Sequence, residues 1–93
     1  MTISVVLPGA LRPLAGGAKT VELQPPGGTL QTLLDALADA HPSLTRRIRD
    51  EQGALRRYVN IYIDGEDVRA SGGLSTTVAD GAEVRILPSV AGG

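Results

Sequence analysis

The chain contains no cysteine. That excludes disulfides, zinc–thiolate centres, iron–sulfur clusters and a cysteine nucleophile. Its one histidine, His41, cannot by itself build a histidine metal site or a proton relay. Phe and Trp are absent and Tyr58 and Tyr62 are the only aromatics, so the platforms on which nucleic-acid bases stack are missing. An excess of positive charge is missing too: nine Lys and Arg stand against ten Asp and Glu, whereas nucleic-acid binding needs a basic stripe. No apolar run approaches the roughly 20 residues that cross a bilayer. The opening Met1-Thr2-Ile3-Ser4-Val5-Val6-Leu7 lacks the charged start and long apolar stretch of a secretory signal. These absences predict a cytoplasmic protein with no nucleic acid and no membrane as partner, and with little equipment for enzyme chemistry.

At 93 residues the chain has room for one domain. With 42% hydrophobic and 20% charged residues it carries enough apolar surface to fold, unlike a disordered tail. Ile3, Val5 and Leu7 alternate with Thr2, Ser4 and Val6, the period of a half-buried strand. Pro8-Gly9 breaks it, and the stretch through Arg12-Pro13 and Gly16-Gly17 reads as a loop or wide hairpin. Alternation resumes over Lys19 to Leu23 and ends at Pro25-Pro26-Gly27-Gly28. The period then changes. After Thr29, a good N-cap, Leu30, Leu33, Leu34, Leu37 and Ala38 form the stripe of an amphipathic helix. Pro42 stops it, and His41-Pro42-Ser43-Leu44 opens a short second helix carrying Leu44 and Ile48, with Arg46, Arg47 and Arg49 as its wet face. Residues 50–56 read as an exposed loop.

The strongest strand signal is Tyr58 to Ile63, where Val59, Ile61 and Ile63 alternate with Tyr58, Asn60 and Tyr62. The turn Asp64-Gly65 leads to a short edge segment, Glu66 to Val68, and the turn Asp80-Gly81 introduces a last strand, Glu83 to Leu87. Two strands, a helix, then further strands give a mixed α+β layout with the helix on one face of the sheet. That is the order of the β-grasp, or ubiquitin-like, fold, with a mixed sheet of four to five strands. The domain is expected to span residues 1–88.

Residues 89–93 are expected to be a flexible tail. Pro88 lacks an N–H donor and ends the ladder. Beyond it, every residue except Val90 is small, and Ala91-Gly92-Gly93 suits a narrow tunnel because glycine has no side chain to obstruct passage. The one reactive group is the α-carboxylate of Gly93. A carboxylate becomes an acylating agent only after activation: attack on the α-phosphate of ATP gives an acyl-adenylate, and a sulfur donor then displaces AMP to leave a thiocarboxylate. No catalytic side chain is needed in the chain that carries it. The competing possibility is that a terminal Gly-Gly is a frayed end without function.

The stretch Val59-Asn60-Ile61-Tyr62-Ile63-Asp64-Gly65-Glu66-Asp67-Val68-Arg69 resembles the central strand and turn of the MoaD/ThiS sulfur carriers. So does Asp80-Gly81-Ala82-Glu83-Val84-Arg85-Ile86-Leu87-Pro88-Ser89-Val90-Ala91-Gly92-Gly93, and the similarity extends through Leu11-Arg12-Pro13, Gly16-Gly17, the Leu-rich helix and Ser71-Gly72-Gly73-Leu74. The resemblance implies a carrier and not an enzyme. Gly93 would be adenylated by an E1-like enzyme, with ATP bound by that partner and no cofactor bound by the carrier, and would then bear the sulfur. Gly92, Ala91 and Val90 would thread into the partner's site. The fuller pattern looks most like the actinobacterial carriers of an alternative cysteine pathway. There the sulfur passes to O-phosphoserine on a pyridoxal-phosphate (PLP) cysteine synthase, and a metalloprotease frees the cysteine. The same carrier chemistry serves molybdopterin synthase as its small subunit, thiamin and secondary-metabolite biosynthesis, and ubiquitin-like protein modification. A plain binding module with an inert tail is the remaining alternative.

A carrier also needs a docking surface. If Ile3/Val5, Val59/Ile61 and Val84/Ile86 face the helix, then Val6, Tyr62 and Leu87 lie on the open face, either as an apolar partner patch or as three side chains that never meet. Arg46, Arg47, Arg49, Arg56 and Arg57 make a locally basic stretch, read as the solvated side of a short helix and its loop, with steering of an acidic partner as the alternative. Asp64, Glu66 and Asp67 lack the spacing of a calcium loop and read as a turn. Gly27-Gly28-Thr29 lacks the Gly-Lys-Ser/Thr signature of a phosphate loop. His41 reads as a helix-end residue.

Overall fold

A computed structural model describes residues 1–88; the expected flexible tail, with Val90, Ala91, Gly92 and Gly93, lies outside the described residues. The first two alternating segments become antiparallel strands, β1 (Ile3–Val6) and β2 (Thr20–Leu23), with Val5 opposite Val21. They form the wide hairpin expected from sequence, but most of the connection is a 3-10 helix, Gly9–Ala15, instead of an irregular loop. The reason lies in its own residues. Leu11 and Ala15, four apart, are both buried, the Arg12 Nε donates to the Leu7 carbonyl at 3.1 Å, and Gly16 closes the helix at φ 68°.

Helix α1 (Leu30–Ala40) starts where Thr29 predicts. The Thr32 N–H donates to the Thr29 hydroxyl at 3.3 Å, and the Thr29 N–H donates back to the Thr32 hydroxyl at 3.2 Å, a reciprocal cap. Its Leu30, Leu33, Leu34 and Leu37 are buried, while Ala38 is only half-buried. Pro42 opens α2 (Pro42–Ile48), which buries Leu44 and Ile48. Arg49 departs from the expected wet face. Its side chain is only 12% exposed, and its guanidinium bonds the Asp35 carboxylate of α1 at 3.0 Å, fastening the two helices together.

Strand β3 (Val59–Ile63) turns into β4 (Glu66–Asp67) through Asp64-Gly65. Both turn residues have positive φ, 48° and 87°, as a two-residue hairpin of the favoured hand requires. The strand starts one residue later than its alternation suggests. Tyr58 sits in the preceding turn, which the Val59 N–H closes onto the Arg56 carbonyl at 3.1 Å. The edge segment is one residue shorter too: Val68 leaves the ladder for a 3-10 turn, Val68–Ala70, capped by the Asp67 carboxylate, and is itself fully buried.

The last strand, β5 (Glu83–Pro88), enters the middle of the sheet, giving the order β2-β1-β5-β3-β4. It runs parallel to β1 and antiparallel to β3. Successive side chains of a strand alternate between faces, so one cross-strand row, Val21, Val5, Val84 and Ile63, points to the helices. The next row, Thr20, Val6, Arg85, Tyr62 and Asp67, points away. Ile3, Val59, Ile61, Val84 and Ile86 join the leucines of α1 in one core, and no charged side chain is buried among the described residues. A five-stranded mixed sheet with its helices on one face is the β-grasp fold that the element order predicts.

Candidate functional site

The position of β5 fixes where the tail leaves. Being central, β5 has ladder partners on both sides, and Pro88 lies opposite Val59 at the start of β3. The chain therefore exits at the end of the sheet where β1 finishes and β3 begins. A small, mostly apolar cleft opens there, lined by Pro8, Ala10, Leu11, Arg47, Tyr58, Val59 and Ile86. Tyr58 is among the few large hydrophobic side chains left exposed, at 47%. Its place in the turn, and not in the strand, carries it to this cleft. Alternation alone assigns it to the other face.

The three residues expected on the open face are all there, but they do not form one apolar surface. Val6 and Tyr62 both pair with Arg85, which stands between them in the central strand. Two strand spacings, roughly 10 Å, separate their backbones. Tyr62 and Leu87 do come together, lining a shallow depression with Gly65, Glu83 and Arg85. The Arg85 guanidinium bonds the Glu83 carboxylate at 3.1 Å, and both side chains are about half exposed. Such a pair is worth about 0–1 kcal/mol, so a partner displaces it cheaply. The face is amphipathic: an aromatic ring, an aliphatic side chain and a displaceable cation in the middle. The alternation of Arg85 with Val84 and Ile86 already puts it on this face, but a pattern of apolar residues alone does not include it.

Among the described residues no group of three His, Asp or Glu side chains converges to hold a metal. The Asp64 carboxylate is engaged within the fold, accepting from the Glu83 N–H at 3.0 Å, while the Asp64 N–H donates to the Glu83 carbonyl at 2.9 Å. Gly28 likewise belongs to packing, its carbonyl accepting from the Val78 N–H at 2.8 Å. His41 joins α1 to α2 as the C-cap of one and N-cap of the other. Gly93 and Gly92, on which the expected chemistry rests, lie outside the described residues with Ala91 and Val90.

Known proteins share this fold. Over the whole length of both chains the sequence is 45% identical to the sulfur carrier protein CysO of Mycobacterium tuberculosis. The crystal structure of the Amycolatopsis orientalis BexX/CysO complex contains a chain that superposes with a TM-score of 0.88 at 41% identity, covering 98% of this chain and 99% of that one. Small archaeal modifier protein 1 of Haloferax volcanii is 35% identical over 78 residues, 83% of this chain and 85% of that protein. The model of the ThiS family matches residues 5–93, from the first strand through both terminal glycines. The chain belongs to the ThiS family.

Proposed function

We propose that the chain is a sulfur carrier acting at Gly93, and that its sulfur goes to cysteine synthesis from O-phosphoserine. The observation that carries this reading is the full-length similarity to the sulfur carrier protein CysO, together with a family match that runs through Gly92-Gly93. The chemistry is conservative in atoms. A carboxylate oxygen of Gly93 attacks the α-phosphate of ATP, pyrophosphate leaves, and a sulfide-level donor then displaces AMP to give the terminal thiocarboxylate. The sulfur is the nucleophile in the next step, at the acceptor enzyme.

The chain is a co-substrate in this scheme and not a catalyst. Nucleotide and metal belong to the activating E1-like enzyme, and the acceptor is a PLP-dependent cysteine synthase whose product a metalloprotease releases. Five residues follow Pro88, and an extended chain advances at most about 3.5 Å per residue. Gly93 therefore reaches no more than about 17 Å beyond the sheet. Any enzyme that acts on it has to meet the exit end of the sheet, while Tyr62, Leu87 and Arg85 supply an amphipathic surface on the adjoining open face. The work of the fold is to hold a short arm at a defined place.

Intact-protein mass spectrometry after incubation with ATP, a sulfide source and an E1-like enzyme of the same organism tests the proposal. The expected result is replacement of one terminal oxygen by sulfur, lost when Gly93 is deleted. No mass change with an enzyme shown to be active on another carrier refutes it. The similarity to small archaeal modifier protein 1 supports a second reading, attachment of Gly93 to lysines of other proteins. Gly-Gly remnants in isopeptide linkage, mapped by proteomics, would favour that reading.

A further inference from the structure

The formal charge of the chain is nearly balanced, but the fold sorts it by end. Lys19 and Arg12 are brought to the exit by β1: the Leu7 N–H donates to the Lys19 carbonyl at 2.8 Å, and Arg12 donates to the Leu7 carbonyl. Arg47 of α2 lines the exit cleft beside Tyr58, Val59 and Ile86. Arg57 precedes Tyr58 in the turn that delivers Val59 opposite Pro88. Lys19, Arg47 and Arg57 are exposed, and none of these four cations has a carboxylate within ion-pair distance among the described residues. The acids gather at the far end of the same strands. Glu22 and Glu83 flank Ser4, Asp64 holds the Glu83 N–H, and Asp80 holds the Thr2 N–H at 2.8 Å. Of the acids on the helical side, two are engaged, and Asp39 on the last turn of α1 is exposed. Asp35 is paired with Arg49, and Asp50 accepts from the Gln52 and Ala54 N–H groups, with Glu51 beside it across Arg46 and Arg56.

We propose that Arg12, Lys19, Arg47 and Arg57 form a basic collar around the tail exit, which docks against an acidic rim around the tunnel of the enzyme that activates Gly93. The inference rests on the carrier reading and adds the partner's chemistry to it. The reach of the tail places this end against the rim whatever else the two proteins touch. Opposite charge there speeds encounter, and like charge there would hinder it. An acidic mouth repels the anionic Gly93 carboxylate, but four cations at the collar outweigh one anion at the tip. The Debye length, about 8–10 Å at physiological salt, is long enough for the collar to act before contact.

The test compares kcat/KM and kcat for thiocarboxylate formation by a purified E1-like adenylating enzyme across a salt series. The chains are the natural protein, the double variant Arg47→Glu with Arg57→Glu, and Glu66→Lys at the far end. The double variant is expected to lose kcat/KM on the order of tenfold at low salt, with kcat preserved and the deficit shrinking as salt rises. Glu66→Lys is expected to stay within about twofold, being remote from the collar. Circular dichroism and the melting midpoint verify that each chain folds, and Arg47→Gln alone serves as the milder probe if the reversal does not. A double variant equal to the natural chain at low salt overturns the collar, as does a loss independent of salt. No turnover of the natural chain overturns the carrier reading and the collar with it, so the two failures are distinguishable.

Discussion

Asp64 occupies a position where three substitutions separate two physical effects. Its φ of 48° is left-handed, the only positive φ outside glycine among the described residues, and its carboxylate accepts the Glu83 N–H at 3.0 Å. Asn keeps the acceptor and tolerates the left-handed region, so Asp64→Asn should change stability by less than about 0.5 kcal/mol. Asp64→Gly removes the acceptor and relieves the backbone. The lost exposed hydrogen bond costs about 0.5–1 kcal/mol, and extra freedom of the unfolded chain adds a few tenths. Asp64→Ala loses the same bond and keeps a Cβ in the left-handed region without the local polar side chain that lets Asp tolerate it, giving about 1–2 kcal/mol in all. For a domain of this size each kcal/mol moves the melting midpoint by roughly 4–8 °C. Urea unfolding followed by circular dichroism should therefore rank the natural chain and Asn together, then Gly, then Ala. An Ala variant as stable as Asn would show that neither the φ nor the bond to Glu83 holds the hairpin. The turn lies at the end of the sheet away from the exit, so thiocarboxylate formation well below the midpoint should be the same in all four chains.

Other perturbations separate the core, the tail and the open face. Leu34→Ala opens a cavity in the core that α1 lines, and should cost about 2–5 kcal/mol in chemical denaturation. Gly92→Leu should leave the melting curve unchanged and strongly slow adenylation, measured as pyrophosphate release with saturating ATP; an unimpaired rate would refute threading of the tail into a narrow site. Tyr62→Asp places a second carboxylate near Glu83 on the open face, and should weaken binding to the activating enzyme, measured by calorimetry, without altering the fold. Unchanged affinity would sink the role of Tyr62 and Leu87 in docking.

The elements of the sheet are readable because they are local. Alternation exposes the inward set Val59, Ile61 and Ile63, and the doublets Asp64-Gly65 and Asp80-Gly81 mark turns whose left-handed backbone few other sequences suit. The 3-10 helix over Gly9–Ala15 is hidden by Pro8, Gly9 and Pro13, which punctuate a loop equally well; what decides is burial of Leu11 and Ala15 against a core assembled from distant strands. Helical periodicity places Arg49 in solvent, but its partner Asp35 belongs to another helix, and no single-helix pattern contains that distance. Tyr58 escapes the pattern for a related reason, since one turn residue before a strand resets the alternation. The open face is legible in composition and not in arrangement. Only the pairing of β5 with both β1 and β3 reveals that Arg85 divides Val6 from Tyr62.

On the proposed carrier reading, that pairing makes the central strand a better attachment for a reactive arm than an edge strand. A partner that draws residues 89–93 into a tunnel pulls on β5 along its length. An edge strand resists such a pull with one ladder and is open to invasion by another chain. β5 resists with two, to β1 through Glu83, Val84 and Arg85 and to β3 from Val84 through Pro88. Its buried Val84 and Ile86 must also leave the core before the strand can slide. The last ladder position among the described residues is Pro88, which contributes no N–H to either neighbour. On the proposed carrier reading, a strand last among the described elements and central in the sheet is a firm anchor for Gly93. Replacing Ile86 with Ala therefore weakens the anchor as well as the core, and its loss of stability should appear as faster exchange of the β5 amides before global unfolding.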